Sequence, residues 1–362
     1  MKSPTKLRFA LVGAGVIGNH HQKVMKELSS EIELVAVVDL ELPKAEKIAF
    51  AHDALAFTSL SEALANCDFD AVAVCTPTGA HAEVGIEALN SGKHVVIEKP
   101  AEISLAATDE IIAAQRRSGR QVTVISQHRF DPAAEILMEA ISEGGLGRLT
   151  SGVAAINWWR GQNYYDSGDW RGTWALDGGG ALMNQGVHTV DLLVAAMGKP
   201  VEVFAYTACL AHDRIEVEDV AVGVVKFESG ALGVLHGTTA AYPGLSARLQ
   251  VHGERGSAII DNDQLTFIHT TPVGHPRAEK PFGVSDSANQ IDRHKVSNGS
   301  IPTAGANPGQ LSDAHRYQYS NFLASIRGDE ELRVGLAENR QSLSVILGAY
   351  ESAQTGLPVR LT

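Results

Sequence analysis

The run Gly13-Ala14-Gly15-Val16-Ile17-Gly18 constrains this chain of 362 residues more than any other segment. It follows a short apolar stretch, Leu7–Val12, and opens a segment of helical periodicity that reaches about Leu28. A second apolar run, Leu34–Val38, ends on Asp39, 21 residues beyond Gly18. Strand, G-x-G-x-x-G turn, helix, strand and acid at this spacing make the nucleotide-binding half of a doubly wound parallel sheet. Gly13 permits the tight turn, Gly15 lets backbone approach a pyrophosphate, and Gly18 lets helix pack on strand. Val16 and Ile17 bring the helix N-terminus, which favours phosphate charge, to the same place. The Asp39 carboxylate is spaced to hold ribose hydroxyls and repels a 2′-phosphate. Leu40 follows it where an NADP site more often offers Arg or Ser, so NAD is expected and NADP disfavoured.

The alternation continues to about residue 125. Ala71–Val74, His94–Glu98 and Gln121–Ile125 read as further strands, and Lys44–Ala51, Ser61–Ala65, Ala80–Asn90 and Leu105–Ser118 as helices. Strands alternating with helices mean βαβ units with right-handed crossovers. Ligands in such sheets lie beyond the carboxyl ends of the strands. Glu98-Lys99-Pro100 stands at one of those ends, with Lys99 held extended by the proline after it. Thr76 and Pro77 follow another strand and would pass beside a bound dinucleotide, with His81 and Glu98 on the same rim. Gln127, after the last parallel strand, is expected near the nicotinamide. Residues 1–126 are therefore expected to form an NAD-binding Rossmann domain.

After Gln127 the texture changes. A helix over Pro132–Glu143 leads to longer alternating strands: Leu149–Trp159, Val201–Cys209, Asp219–Glu228, Gly230–Thr239 and Leu245–Gly253. The pair meeting at Glu228-Ser229-Gly230 reads as a hairpin. One helix, Leu182–Met197, interrupts them and stops at Gly198 and Pro200. Residues 270–312 are rich in Pro, Gly, Ser and Asn and read as a surface excursion. Ala314–Ile326 and Ala337–Ser352 are helical. The expected fold is thus α/β: a parallel Rossmann sheet, then residues 127–362 as an α/β domain with an open, mostly antiparallel sheet. The last helices are free to pack back on the first domain.

Three groups are candidates for chemistry at the crevice: Lys99, Asn184 and His188. Asn184 and His188 are four residues apart on one helix and share a face, and Asp191 is placed to orient the histidine. Removal of a hydroxyl proton during hydride transfer suits a neutral imidazole, and an ammonium nearby stabilises the alkoxide that forms. Gly178-Gly179-Gly180 would let backbone approach a ligand. All four tryptophans fall within residues 158–174. Trp158, Arg160, Tyr165 and Arg171 in this stretch are candidate substrate contacts, as are Gln127, Asn184 and His188: flat aromatic faces suit sugar C–H surfaces, and Arg grips hydroxyls or a carboxylate. Arg129 reads as easily structural as ligand-binding. Asp313 and His315 at the start of a late helix are weaker candidates. His20 and His21 read as packing or surface residues, and no H-E-x-x-H or Cys pair supports a metal site.

G-A-G-x-I-G, E-K-P and the run from Gly178 through Asn184 and His188 to Asp191 together resemble the Gfo/Idh/MocA family, relatives of glucose–fructose oxidoreductase and inositol dehydrogenase. The resemblance spans nearly the whole chain, to the ending Ala349–Val359. It implies Lys99 and His188 as the catalytic pair. It also implies a sugar, cyclitol or sugar derivative oxidised or reduced at a ring carbon, and a sheet face that builds a homodimer or homotetramer. Asn184 stands where relatives such as inositol dehydrogenase carry Asp, which shifts proton transfer onto His188 and Lys99 and leaves open which of the two is the base. Two rivals share the fold: an NAD-dependent glycoside hydrolase working by transient oxidation, and a non-catalytic sugar-responsive binding protein.

Bulk properties narrow the class. Hydrophobic residues at 44% and charged residues at 20% describe a globular chain. A formal net charge of −12 without a basic stripe argues against nucleic acid as a partner. No run of about twenty apolar residues predicts a membrane span. The basic start and apolar run at Met1–Gly18 imitate a signal peptide, but they contain the phosphate turn and no small-residue cleavage site. Three cysteines, an odd number, suit a reducing compartment, so a cytoplasmic location is expected.

Overall fold

The computed structural model of the protein describes residues 6–276, 288–294 and 313–361. They divide into two compact units: residues 6–127, 175–178 and 313–340 form one, and 128–174, 179–276, 288–294 and 341–361 the other. Most of the excursion expected at 270–312 lies outside the described residues.

The first unit contains β1 (Leu7–Val12), α1 (Val16–Glu27), β2 (Ile32–Val38), α2 (Leu42–Phe50), β3 (Leu55–Phe57), α3 (Leu60–Asn66), β4 (Ala71–Val74), α4 (His81–Asn90), β5 (His94–Ile97), α5 (Leu105–Ser118) and β6 (Val122–Val124). All strand pairs are parallel. The order β3-β2-β1-β4-β5-β6 reverses between β1 and β4, so the binding crevice opens past their carboxyl ends. Both faces of the sheet are covered, which is why its strands read as unbroken apolar runs. Along β1, Phe9 and Leu11 enter one core cluster while Ala10 and Val12 enter the other. Full burial of a side chain such as Phe9 or Leu11 contributes about 1.5–3 kcal/mol. Ser59 and Ser104 start α3 and α5 by accepting the Glu62 and Ala107 amides. Strand β3 escapes the sequence because three residues carry no readable period.

The second unit holds α6 (Pro132–Ser142), β7 (Leu149–Asn157), α7 (Gln162–Tyr165), α8 (Val187–Met197), β8 (Pro200–Ala208), β9 (Val220–Phe227), β10 (Leu232–Thr238), β11 (Ala247–Gly253), β12 (Ser257–Asp261) and β13 (Gln264–His269). β7 ends at Asn157, two residues short of the expected strand, and Trp159 makes only an isolated bridge to Ala240. The β12–β13 hairpin was not expected. Its turn, Asn262-Asp263, takes positive φ at both residues (46° and 62°), as a type I′ turn requires, but lacks the glycine that usually announces one.

Toward the end, α9 (Asp313–Arg327) belongs to the first unit, where Tyr319, Phe322 and Leu323 join Phe9 and Leu11 in one cluster. α10 (Leu336–Thr355) leads to β14 (Val359–Arg360). The second sheet runs β13-β12-β11-β7-β10-β9-β8-β14. It is mixed and mostly antiparallel: only β7 and β10 pair in parallel. Among the described residues no helix is long and apolar enough to cross a membrane.

Candidate active site

The expected nucleotide residues cluster at the carboxyl ends of β1 and β4. Gly13 has φ of 99°, and a Cβ there would meet the Cys75 carbonyl oxygen at 2.4 Å, so glycine is required by both conformation and space. Gly18 is required by space alone, since its Cβ would lie 1.9 Å from the Gly13 carbonyl oxygen. Gly15 differs: φ is −72° and a Cβ would meet nothing within 4 Å. It is the N-cap of α1 with no side-chain cap, and Val16 beside it is 68% exposed. The first turn of α1 therefore offers amides to an anion across open space. Gly15→Ala is expected to fold normally, with Tm within about 2 °C, yet to weaken NADH binding by about tenfold or more, roughly 1.4 kcal/mol. Calorimetry beside a fluorescence titration checks both halves.

Asp39 braces this turn. Its Oδ2 accepts the Ala14 amide (2.7 Å) and its Oδ1 the Glu41 amide (2.9 Å). Thr76 Oγ1 and Gln127 Oε1 are buried with no hydrogen-bond partner, past the ends of β4 and β6. Orphaned polar atoms in a crevice, each costing about 1–3 kcal/mol, fit a ligand with amide and hydroxyl edges such as NAD. Pro77 precedes a short 3₁₀ turn, Thr78–Ala80. His81, fully buried, places its ring nitrogens 2.9 Å from the Pro100 carbonyl and 3.0 Å from that of Thr76. It thus ties the Thr76 turn to the turn that carries Lys99.

Lys99 stands on a buried polar platform. Its amide donates to Glu98 Oε2 (3.0 Å), while Glu98 Oε1 lies 2.7 Å from His21 Nε2 and 3.7 Å from His315 Nε2. Burial opposes the charge on Glu98, but the hydrogen bond with His21 and the nearby His315 ring outweigh it and hold the carboxyl well below its usual range. His21 Nδ1 meets Tyr319 Oη at 2.7 Å. Burial, aided by His315 and His21, pushes His20 down to about 3. His21 and His315 are thus elements of the platform under Lys99. The side chain of Asp313 lies outside the described residues.

In the second unit, the helix expected over Leu182–Met197 begins as a π-helical turn, Ala181–Gly186, and becomes α only at Val187. Such turns recur at functional sites. From Ala181 to Val194 every residue is buried except Asn184 and His188, so the two share a window in an otherwise closed helix. The turn is held by Glu218, a buried carboxylate that accepts the amides of Gly180 (2.9 Å) and Leu182 (2.8 Å) and the Tyr350 hydroxyl (2.9 Å). Glu218 thereby serves as the cap of this helix. Gly179 and Gly180 approach Tyr350 and the Glu218 backbone, so the glycine run serves this packing.

Asp191 does not stand as expected. Arg129 grips it in a bidentate pair (2.6 and 2.8 Å) and Ser342 Oγ donates at 2.7 Å, so its carboxylate is committed to the framework. The His188 ring instead meets His128 edge to face, centroids 5.0 Å apart. Burial disfavours charge on His128, but Asp263 and Asp131, 3.1 and 2.7 Å from Nδ1, more than offset it and raise its pKa well above the usual value.

The expected substrate residues assemble in part. Arg160 lies over Trp158 (5.1 Å) and Tyr164 (5.3 Å), and Arg171 over Tyr164 and Trp170 (both 4.4 Å). Tyr165 does not join them: it is buried and bonded through its hydroxyl to Thr239 Oγ1 at 2.8 Å. Its neighbour Tyr164 takes the central place. Sequence reasoning also passes over Glu218, Gln185, His128 and the His212–Asp219 pair. The Glu218, Gln185 and His128–Asp263 contacts join segments tens of residues apart, whereas His212 and Asp219 are seven apart; only the adjacent acids Glu218-Asp219 at a strand start offered a hint.

Comparison with known proteins identifies the family. Residues 7–126 match the model of an oxidoreductase family with an NAD-binding Rossmann fold, and residues 135–259 match the GFO/IDH/MocA C-terminal domain. The WlbA dehydrogenase from Bordetella pertussis, solved with NADH and UDP-GlcNAcA, is 31% identical with a TM-score of 0.84 over 99% of each chain. Its counterpart from Chromobacterium violaceum, with the same ligands, is 32% identical with a TM-score of 0.84 over 99% of this chain and 96% of that one. A myo-inositol 2-dehydrogenase from Thermotoga maritima is 29% identical over 73% of this chain and 78% of its own. The chain belongs to the Gfo/Idh/MocA family of NAD-binding oxidoreductases.

Proposed function

We propose that the protein is an NAD-dependent dehydrogenase that interconverts a ring carbinol and ketone of a sugar, cyclitol or sugar derivative, with Lys99 and His188 as the acid–base pair. The observation that carries this reading is the paired window of Asn184 and His188 in a stretch, Ala181–Val194, where every other residue is buried. A residue kept open at that cost in apolar burial is kept for a ligand. Bound NAD supplies the hydride acceptor at its nicotinamide. His188 takes the hydroxyl proton, the Lys99 ammonium stabilises the alkoxide, and the Asn184 amide hydrogen-bonds a substrate hydroxyl and fixes its orientation. Asn184 cannot itself carry a proton, so the pair does the transfer.

The relatives support a polyol ring: the similar proteins include myo-inositol 2-dehydrogenase, and the WlbA structures hold UDP-GlcNAcA. A homodimer or homotetramer is the expected assembly. One face of the second sheet presents Tyr206, Val222, Val224, Leu232 and Val234, all exposed, a contiguous apolar patch that suits a second copy of the chain. The charge of −12 leaves nucleic acid out, and three free cysteines suit the cytoplasm.

The experiment is absorbance at 340 nm with free sugars, inositols, sugar acids and nucleotide sugars. One NADH per substrate oxidised is expected. Cleavage of an aryl glycoside with NAD needed but no NADH accumulating would instead show a hydrolase.

A further inference from the structure

Among the described residues, the guanidinium groups of Arg160 and Arg171 in the second unit face no carboxylate. Arg160 donates one bond, to the carbonyl of its neighbour Trp159 (3.2 Å), and Arg171 one side-chain bond, to Tyr164 Oη (2.8 Å). Neither has a carboxylate partner among the described residues, in a chain that carries twelve more acidic than basic charges. Both are partly buried, and both lie on the ring of Tyr164, so two like charges are held within reach of one small ligand. An arginine packed over aromatic rings spends few of its five N–H donors there, and the donors left over suit an oxyanion.

The surroundings are built to hold them there. His212 lies 2.9 Å from Asp219 Oδ2 and 2.7 Å from the Arg160 carbonyl oxygen, which fixes the Arg160 backbone. Asp219 also accepts the amides of Leu210, Ala211 and His212, so its charge is spent on the loop. Gln185 Nε2 donates to Tyr164 Oη at 3.0 Å, while Gln185 Oε1 and Trp158 Nε1 are buried with no partner. Gln185 follows Asn184 on the π-helical turn, so the arginine wall is tied to the element that carries the proposed catalytic residues.

We infer that Arg160 and Arg171 form an oxyanion subsite, and that the substrate carries a carboxylate or phosphoryl group which this pair grips while the reacting carbinol faces Asn184 and His188. The inference rests on the dehydrogenase reading for the place of the reacting carbon, but the binding of the anion does not depend on turnover. A planar guanidinium pair favours an oxyanion over a hydroxyl because the hydrogen bonds are charge-assisted and the unpaired like charges are relieved.

The test is calorimetric titration of the NADH-loaded protein with D-glucose, D-glucuronate, D-glucose 6-phosphate, UDP-glucose and UDP-glucuronate. It is run on the wild type and on Arg171→Gln, Arg160→Gln and Arg171→Lys, each first shown to keep its Tm and its NADH affinity. The wild type is expected to bind at least one anionic probe about tenfold or more tighter than glucose, and each Gln variant to lose most of that advantage. Arg171→Lys should recover part of it, since charge returns without the fork. Glucuronate leading points to a carboxylate, glucose 6-phosphate or the UDP compounds to a phosphoryl group. Equal affinity for glucose and every anion, anion binding untouched in both Gln variants, or no binding of any probe would each overturn the subsite. Should no sugar yield NADH while the arginine-dependent preference persists, the dehydrogenase reading fails and the subsite stands. NADH from neutral sugars, unchanged in the arginine variants, would do the reverse.

Discussion

Lys99→Ala is expected to lower kcat/KM by about 10³–10⁴-fold, the usual worth of a positioned proton-transfer group together with its charge, while NADH affinity changes little. The lysine is delivered by the end of a parallel strand and braced from below, with its amide on Glu98 and Glu98 on His21. Truncation at Cβ leaves that platform intact, so the loss belongs to chemistry rather than folding. Lys99→Arg separates two roles. Arginine keeps a positive charge but cannot give up a proton at working pH, so a variant that stays inactive shows that proton transfer matters beyond charge. His188→Ala should fall in the same range, and the double variant should lose scarcely more than either single one, as groups acting as a unit do. Steady-state kinetics with a fluorescence titration of NADH decide it. A Lys99→Ala enzyme within about tenfold of wild type would remove the residue from the mechanism.

Glu218→Ala is expected to destabilise the second unit by on the order of 3–5 kcal/mol, because it strands the buried donors of Gly180, Leu182 and Tyr350. The lost cap also frees the π-helical turn that presents Asn184, so activity should fall even in the fraction that remains folded. Burial pushes the Glu218 carboxyl up to about 7 against the pull of its donors. The sign follows. With the folded value above the ordinary 4.5, folding favours the protonated form. That contribution is fully present below about 4.5 and is lost as pH rises through about 7, at roughly 1.4 kcal/mol per pH unit. Wild type should therefore lose stability between about pH 5 and 7.5 faster than Glu218→Gln, which has no proton to lose there. Parallel melting-temperature curves for the two proteins would contradict the assignment.

The nucleotide half was legible because its signals are local. A glycine turn, a strand end and Asp39 sit within 27 residues, Gly13 to Asp39, and each answers a backbone need that only certain residues meet. The Lys99 platform was half legible. Glu98-Lys99-Pro100 stands out, but the partners of Glu98 come from α1 and α9, and nothing in the periodicity brings His315 to it. In the second unit the strands were legible by alternation wherever one face is buried. The π-helical turn was not, since a π turn has no hydrophobic period distinct from that of an α-helix over six residues. Asp191 was misread because i,i+3 spacing makes it a neighbour of His188, whereas Arg129, 62 residues earlier, wins it with two charge-assisted bonds. Tyr164 and Tyr165 could not be told apart by sequence, and only the fold shows which ring faces the arginines.

The most direct test of the central claim is a crystal structure of the ternary complex with NAD and the compound that gives NADH. Lys99 Nζ and a His188 ring nitrogen are both expected within hydrogen-bond reach, about 2.6–3.2 Å, of the hydroxyl on the carbon that faces the nicotinamide. A productive complex with either group beyond reach of that hydroxyl, even through one bridging water, would contradict it.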